Sequence, residues 1–335
     1  MTIAVDETDL TTMKFGIGQP VRRTEDPKLL RGEGSYSDDV NLAGQVYAAI
    51  VRSPYAHGVI RGIDMTTAKG MPGVLGVFTG KDLNAAGYGA MKTIVPFNNR
   101  DGSPMKKPGR HALATDKVRF AGDPVAFVVA ETRLQAKDAA QAVELDIEPL
   151  PAVTSARRAA QPGAPQLFDE VPNNVTLDYH YGDAEKVAAA FAKAAHVVSL
   201  EVVNNRLVVC AMEPRSAIGE YDQAAGRWIL HVGCQGAFGL RNQLANDILG
   251  VPPEKVRVLT GNVGGSFGMK ASVYPEYVCL LHAAKLLGKP VKWTDERSES
   301  FLSDQHGRDH EMKAELALDK DGHFLAVRTT GYGNM

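Results

Sequence analysis

The sequence predicts a mixed α/β (α+β) chain in two consecutive parts, and three observations carry that reading. Short β-branched runs bounded by glycine and proline alternate with amphipathic stretches of helical length. A proline-rich stretch, with Pro149, Pro151, Pro162, Gly163, Pro165 and Pro172, interrupts the pattern near the middle and reads as a semi-rigid connector. Beyond it, four glycines in residues 261–268 stand between a strand-like run and a helix-like one.

Residues 1–30 show little periodicity and read as a lead-in. Strand-like runs then follow at residues 46–51 and 74–78, and residues 88–109, rich in Gly, Asn and Pro, read as a surface loop. Residues 125–130 form a short apolar run suited to a buried strand, with Pro124 at its tolerated first position. A helix is predicted over residues 132–143 with Thr132 as N-cap, and strand over 144–147 closes an α/β domain of residues 31–150. The connector occupies residues 151–174, and the second part runs over 175–335.

That part opens with a helix over residues 183–194 and a strand over 196–203, then a hairpin with arms at 217–221 and 227–232. Residues 240–249 read as a helix ended by Gly250 and the Pro252-Pro253 pair, and 256–259 as a strand. After the glycine loop a helix covers residues 275–287, stopped by Gly288 and Pro290, and strands follow at 291–293, 312–318 and 324–330.

Composition narrows the function. At 335 residues, 44% hydrophobic and 23% charged, the chain can bury substantial cores. A net charge of −2, from 37 basic and 39 acidic residues without long runs, argues against nucleic acid as a partner. No stretch has the length of a membrane span, and residues 1–10 lack the apolar run of a signal peptide, which points to the cytoplasm. Cys210, Cys234 and Cys279 are too far apart for a zinc or iron–sulfur motif and read as ordinary thiols. His306 and His310 have metal-compatible spacing only on a helix, which Gly307 disfavours, so no metal ligands are assigned.

The loop Gly261-Asn262-Val263-Gly264-Gly265-Ser266-Phe267-Gly268 is where bare backbone can approach a ligand. Its spacing is not that of a dinucleotide fingerprint. Gly264-Gly265-Ser266-Phe267-Gly268 also matches the nucleophile elbow of α/β hydrolases, with Asp304 and His306, or Asp309 and His310, following in order. Those acid–histidine candidates sit close together in sequence, and no stretch supplies an oxyanion donor.

Longer matches point elsewhere. Residues 16–39, which include Arg22-Arg23-Thr24-Glu25-Asp26-Pro27 and Gly32-Glu33-Gly34-Ser35-Tyr36, together with Val51-Arg52-Ser53-Pro54-Tyr55-Ala56-His57 and Gly122-Asp123-Pro124-Val125-Ala126, resemble the opening and hammerhead α/β domain of molybdenum hydroxylase large subunits. That family includes aerobic carbon monoxide dehydrogenase and xanthine dehydrogenase. Met212-Glu213-Pro214, Gln235, Gly264 to Gly268 and Pro290-Val291-Lys292-Trp293 resemble its first molybdenum-cofactor-binding region, so residues 175–335 are expected to form the first part of a molybdopterin-binding domain.

The resemblance implies that Gly264, Gly265, Phe267 and Gly268 bring backbone against the cofactor, and that Gln235 donates a hydrogen bond to an oxo ligand on molybdenum. A neutral amide suits that task because it neither titrates nor adds charge. The family's loop has glycine where Ser266 stands. Glu213 reads as structural, and His57 as a packed histidine. No catalytic residue of the chain is implied, because the family's base lies beyond the matched region. The implied cofactor is molybdenum-molybdopterin, expected in its cytosine dinucleotide form. FAD and iron–sulfur clusters belong to partner subunits: a medium flavin subunit and a small iron–sulfur subunit. Residue 335 falls within a strand-like run, so a C-terminal half of the large subunit is a further expected partner, and the chain alone is expected to be inactive. The implied reaction is hydroxylation of a small carbon substrate by oxygen from water; carbon monoxide, an aldehyde or an N-heterocycle fits. Ala271, where purine-oxidising relatives carry glutamate, argues against xanthine. Two alternatives stay open: a serine hydrolase using the elbow, and a non-catalytic interaction fragment.

Overall fold

The computed structural model describes residues 22–335; residues 1–21, with most of the expected lead-in and the start of the family-like segment, lie outside the described residues. The first half contains α1 (Asp26–Leu30), β1 (Val46–Arg52), β2 (Gly58–Asp64), α2 (Thr66–Gly70), β3 (Val74–Thr79), α3 (Gly80–Ala85), β4 (Lys117–Val118), β5 (Pro124–Ala130), α4 (Arg133–Gln141) and β6 (Glu144–Pro149). The second contains α5 (Ala156–Ala159), α6 (Ala184–Lys193), β7 (His196–Asn204), β8 (Ser216–Asp222), β9 (Arg227–Val232), α7 (Ala237–Gln243), β10 (Val256–Leu259), α8 (Pro275–Leu287), β11 (Val291–Thr294), α9 (Arg297–Ser303), β12 (His310–Leu318) and β13 (Phe324–Gly333).

Local chemistry sets several boundaries. Thr132 caps α4 by accepting the N–H of Gln135 at 3.2 Å, while the Gln135 side chain accepts the N–H of Thr132 at 3.0 Å. Asp183 caps α6 by accepting Lys186 N–H at 3.0 Å, without a reciprocal side-chain bond to its own N–H. The helix expected at residues 240–249 begins earlier, at Ala237, and its second half, Leu244–Leu249, winds as π-helix before Gly250 ends it at φ +62°. Within the expected lead-in, Pro27 opens the short α1, a place where its missing N–H costs nothing.

A seven-stranded mixed sheet in the order β10-β9-β8-β11-β1-β5-β3 forms the centre, and it takes strands from both sides of the connector. The junction is the parallel pair β1–β11, with Val46 opposite Val291. β5 is buried along its whole length because both its faces are covered. Phe127 and Val129 pack toward the cluster that includes Tyr277, Leu280 and Leu281 of α8, whereas Ala126 and Val128 pack toward Ala68 and Ala139 on the other side. Two smaller sheets, β4-β2-β6 and β13-β12-β7, flank it.

Candidate functional site

β9 and β10 are parallel neighbours, so their C-terminal ends lie side by side. The turn after β9 carries Gln235, and the turn after β10 carries the glycine loop; the sheet therefore brings together residues that the sequence separates. Carboxyl ends of parallel strands are where open α/β sheets bind ligands.

The base of the loop is held from below by Glu213. Its Oε1 accepts the backbone N–H of Ser37 at 3.2 Å and the Ser37 hydroxyl at 2.9 Å. Its Oε2 accepts Gly264 N–H at 2.8 Å and the Lys270 ammonium at 2.7 Å. Burial alone would raise this carboxyl, but the Lys270 ammonium and the N–H donors of Gly264 and Ser37 hold it below the usual carboxylate range. Ser35 completes the base: it exchanges hydrogen bonds of 2.9 Å with Asn262, through Ser35 N–H to the Asn262 side chain and Asn262 N–H to the Ser35 carbonyl. Lys292, buried on β11, donates to the carbonyls of Asp38 and Val40 at 2.7 and 2.9 Å and so clamps the same segment. The family-like stretch around residues 35–40 thus serves as a support for the loop.

The glycines divide by role. A Cβ at Gly264 would stand 2.5 Å from Cβ of Glu213, so this glycine permits close packing inside the protein. Gly265 has φ +102°, and its Cβ would meet the Phe267 ring at 3.0 Å. Phe267 adopts φ +50° and is 79% exposed. A non-glycine residue in that conformation reflects local constraint. At Gly268 and Gly236 an added Cβ would enter open space, so at both positions bare backbone faces outward.

Gln235 is exposed beside that backbone. Its Oε1 accepts the Ser266 hydroxyl at 2.8 Å and Gly268 N–H at 3.1 Å, and its own N–H reaches the Lys270 carbonyl at 2.9 Å. Among the described residues Nε2 has no partner, and it remains available as a donor. An amide donor beside exposed backbone at Gly236 and Gly268 can meet hydrogen-bond acceptors of a bound ligand. Predicted residues Gln235, Gly265, Phe267 and Gly268 form this surface, with Gly264 beneath it.

Among the described residues Ser266 has no acid or histidine as a hydrogen-bond partner. Its hydroxyl donates to Gln235 and accepts Lys270 N–H at 3.0 Å. Asp304 instead pairs with Arg215 at 2.6 Å, and Asp309 with Arg206 and Asn334. A hydroxyl without a neighbouring base is not an activated nucleophile, so the elbow reading finds no support. His306 and His310 lie on a loop and at the start of β12, and not on one helix face. Cys234 and Cys279 are buried and Cys210 is exposed, all as free thiols.

Sequence reading did not anticipate Lys270, Ser35, Ser37 or Arg297, whose guanidinium bonds the Ala211 carbonyl and fixes the chain ahead of Glu213. Each acts through a contact distant in sequence, and no local pattern signals it.

Comparison with known proteins gives the family. The profile for the aldehyde oxidase and xanthine dehydrogenase a/b hammerhead domain matches residues 31–151, and that for the molybdopterin cofactor-binding domain matches residues 167–335. The chain is 34% identical over 325 residues to the carbon monoxide dehydrogenase large chain of Afipia carboxidovorans, covering 93% of this chain and 39% of that one. It is 37% identical over 317 residues to the nicotine 6-hydroxylase large subunit of Paenarthrobacter nicotinovorans, covering 93% of this chain and 37% of the relative. Among solved structures, a Cu,Mo-CO dehydrogenase superposes with a TM-score of 0.84 at 33% identity, over 94% of this chain and 40% of that one. Quinoline 2-oxidoreductase from Pseudomonas putida superposes at 0.83 and 33% identity, over 93% of this chain and 38% of that one. The chain thus spans well under half the length of these relatives.

Proposed function

Because the chain belongs to the aldehyde oxidase and xanthine dehydrogenase family of molybdopterin-binding proteins, we propose that it forms one wall of the cofactor site in a molybdenum hydroxylase large subunit. The observation that carries this reading is the Nε2 of Gln235, without a partner among the described residues, standing beside the exposed backbone of Gly236 and Gly268. Phe267 and Gly268 would lie against the cofactor and Gln235 would donate to one of its oxygens; a cytosine dinucleotide form and electron-accepting FAD and iron–sulfur subunits complete the scheme. When bound, the molybdenum cofactor supplies the two-electron oxidation chemistry, and water supplies the oxygen.

This chain's residues bind and orient. Glu213, the acid against the loop, already accepts four donors and is held ionised, so it has no free position from which to take a proton. The base is therefore assigned to the part of the large subunit outside the match. Carbon monoxide, aldehydes and N-heterocycles are the proposed substrate classes, and Ala271, which offers no carboxylate where purine-oxidising relatives carry glutamate, disfavours purines.

The test is Gln235→Ala in a complex assembled with the remaining large-subunit segment and both redox subunits. Removing a donor from a dry site costs about 1–3 kcal/mol, and turnover should fall by roughly one to two decades while the subunits still assemble. Molybdenum content and rate equal to the parent's would refute the reading.

A further inference from the structure

The resemblance implies glycine where Ser266 stands, and the Ser266 hydroxyl occupies a defined place in a directed chain of hydrogen bonds. Lys270 N–H is a fixed backbone donor and reaches Ser266 Oγ at 3.0 Å. That leaves the Ser266 hydroxyl proton to be given onward, and the acceptor at 2.8 Å is Gln235 Oε1. Gly268 N–H, also a donor that cannot reverse, meets the same oxygen at 3.1 Å. A flipped carboxamide would set Nε2 against Gly268 N–H, donor facing donor, and would ask Ser266 Oγ to find another acceptor for its proton.

We propose that Ser266 is a positioning residue which, together with Gly268 N–H, fixes the carboxamide of Gln235 so that its Nε2 donors face the cofactor side of the loop. Glycine at this position would leave one donor in place of two, and the amide would rotate more freely about its terminal torsion, where rotamer preferences are broad. It would also remove the acceptor for Lys270 N–H at the turn that leads out of the loop. The consequence for turnover rests on the reading of Gln235 given above; the ordering of the carboxamide does not, since it is a property of this chain alone.

The two are separable by experiment. In the 335-residue chain labelled with [15N]glutamine, the side-chain NH2 signal of Gln235, assigned by its loss in Gln235→Asn, should be as ordered as the backbone by heteronuclear NOE. Ser266→Ala and Ser266→Gly should make it mobile, and Ser266→Thr, which keeps the hydroxyl, should restore it. In the assembled, cofactor-loaded enzyme, Ser266→Ala should lower kcat roughly fivefold with KM unchanged, and Ser266→Thr should recover most of the loss. A carboxamide equally ordered in the parent, Ser266→Ala and Ser266→Gly would overturn the proposal, as would an ordered signal in Ala that is lost in Thr. If the ordering behaves as stated but Gln235→Ala itself leaves the rate unchanged, the cofactor reading fails and the positioning role stands.

Discussion

Glu213 shows how a single side chain can be read for what it does not do. A carboxylate against the glycine loop invites assignment as a base, yet all its accepting positions are filled, two by donors from the segment at Ser37 and two by Gly264 and Lys270. It holds a loop together. Lys270 is 1% exposed, so Glu213→Ala would leave a buried ammonium without its counter-charge. Truncating one member of a buried pair costs about 3–5 kcal/mol, and urea unfolding should show a loss of that order. Glu213→Gln keeps the shape and part of the hydrogen bonding, and should lose less. The carboxyl is held below its ordinary value in the folded chain, so its contribution is present above the unfolded carboxylate range and is lost as pH falls below it. The difference between parent and Glu213→Gln should therefore shrink in acid; a constant difference from neutral pH down to pH 3 would argue against an ionised Glu213.

At the scale of elements, the packing around α8 concentrates charge where the sequence shows only an apolar helix. Arg215, immediately before β8, is buried; it bonds Glu276 in the first turn of α8 at 2.8 Å and Asp304 at 2.6 Å, with its guanidinium 3.7 Å from the Tyr274 ring centroid. Burial would raise Glu276, but the guanidinium groups of Arg215 and Arg52 hold it at about 2. Asp295 goes the other way: burial, with the Glu299 and Asp304 carboxylates, outweighs Arg215 and pushes it up to about 8. Its folded value exceeds its unfolded one, so its stabilising contribution is complete below the ordinary value of 3.8 and is lost as pH rises through about 8. Asp295→Asn cannot ionise. Its melting temperature relative to the parent should climb between about pH 4 and pH 8 and level off beyond; a flat difference across that range would contradict the assignment.

The same elements show what was legible beforehand. β5, α4, the β8–β9 hairpin, β10 and α8 were readable because each has a continuous apolar run or an amphipathic stripe with a cap or a glycine stop. β2 was not, since Gly58, Arg61 and Gly62 break its alternation, and a Cβ at Gly58 would stand 2.6 Å from the Ile147 side chain of β6. Helices as short as α2, α3 and α5 bury too little to leave a period in the sequence. The loop glycines and Gln235 were legible as motif residues, whereas the Ser266–Gln235–Gly268 arrangement was not. It depends on the parallel register of β9 and β10, which only the folded sheet specifies.

For the whole molecule, the decisive feature is a sheet that crosses the connector. β1 and β5 belong to the first half and β11 and β8 to the second, yet they are consecutive in one hydrogen-bonded order, and Arg52 at the end of β1 bonds Glu276 at 2.6 Å and Glu299 at 2.6 Å from the other half. The support for the glycine loop also comes from the first half, through Ser35, Ser37 and the carbonyls held by Lys292. A cut in the exposed connector, at a protease site introduced near Gly163, should therefore leave the two pieces associated on a sizing column under native conditions. Arg52→Ala should weaken that association, because both carboxylates lose a buried partner. Truncation of such a pair costs about 2–5 kcal/mol, which corresponds to a loss of roughly thirtyfold or more in the association constant. Separation of the parent's pieces immediately after the cut, at micromolar concentration, would mean that the shared sheet contributes little and that the connector alone keeps the halves together. Persistent association in the parent and dissociation in Arg52→Ala would instead place the loop's geometry under the control of the first half, since only a docked first half can deliver Ser37 to Glu213 and so set the loop beside Gln235.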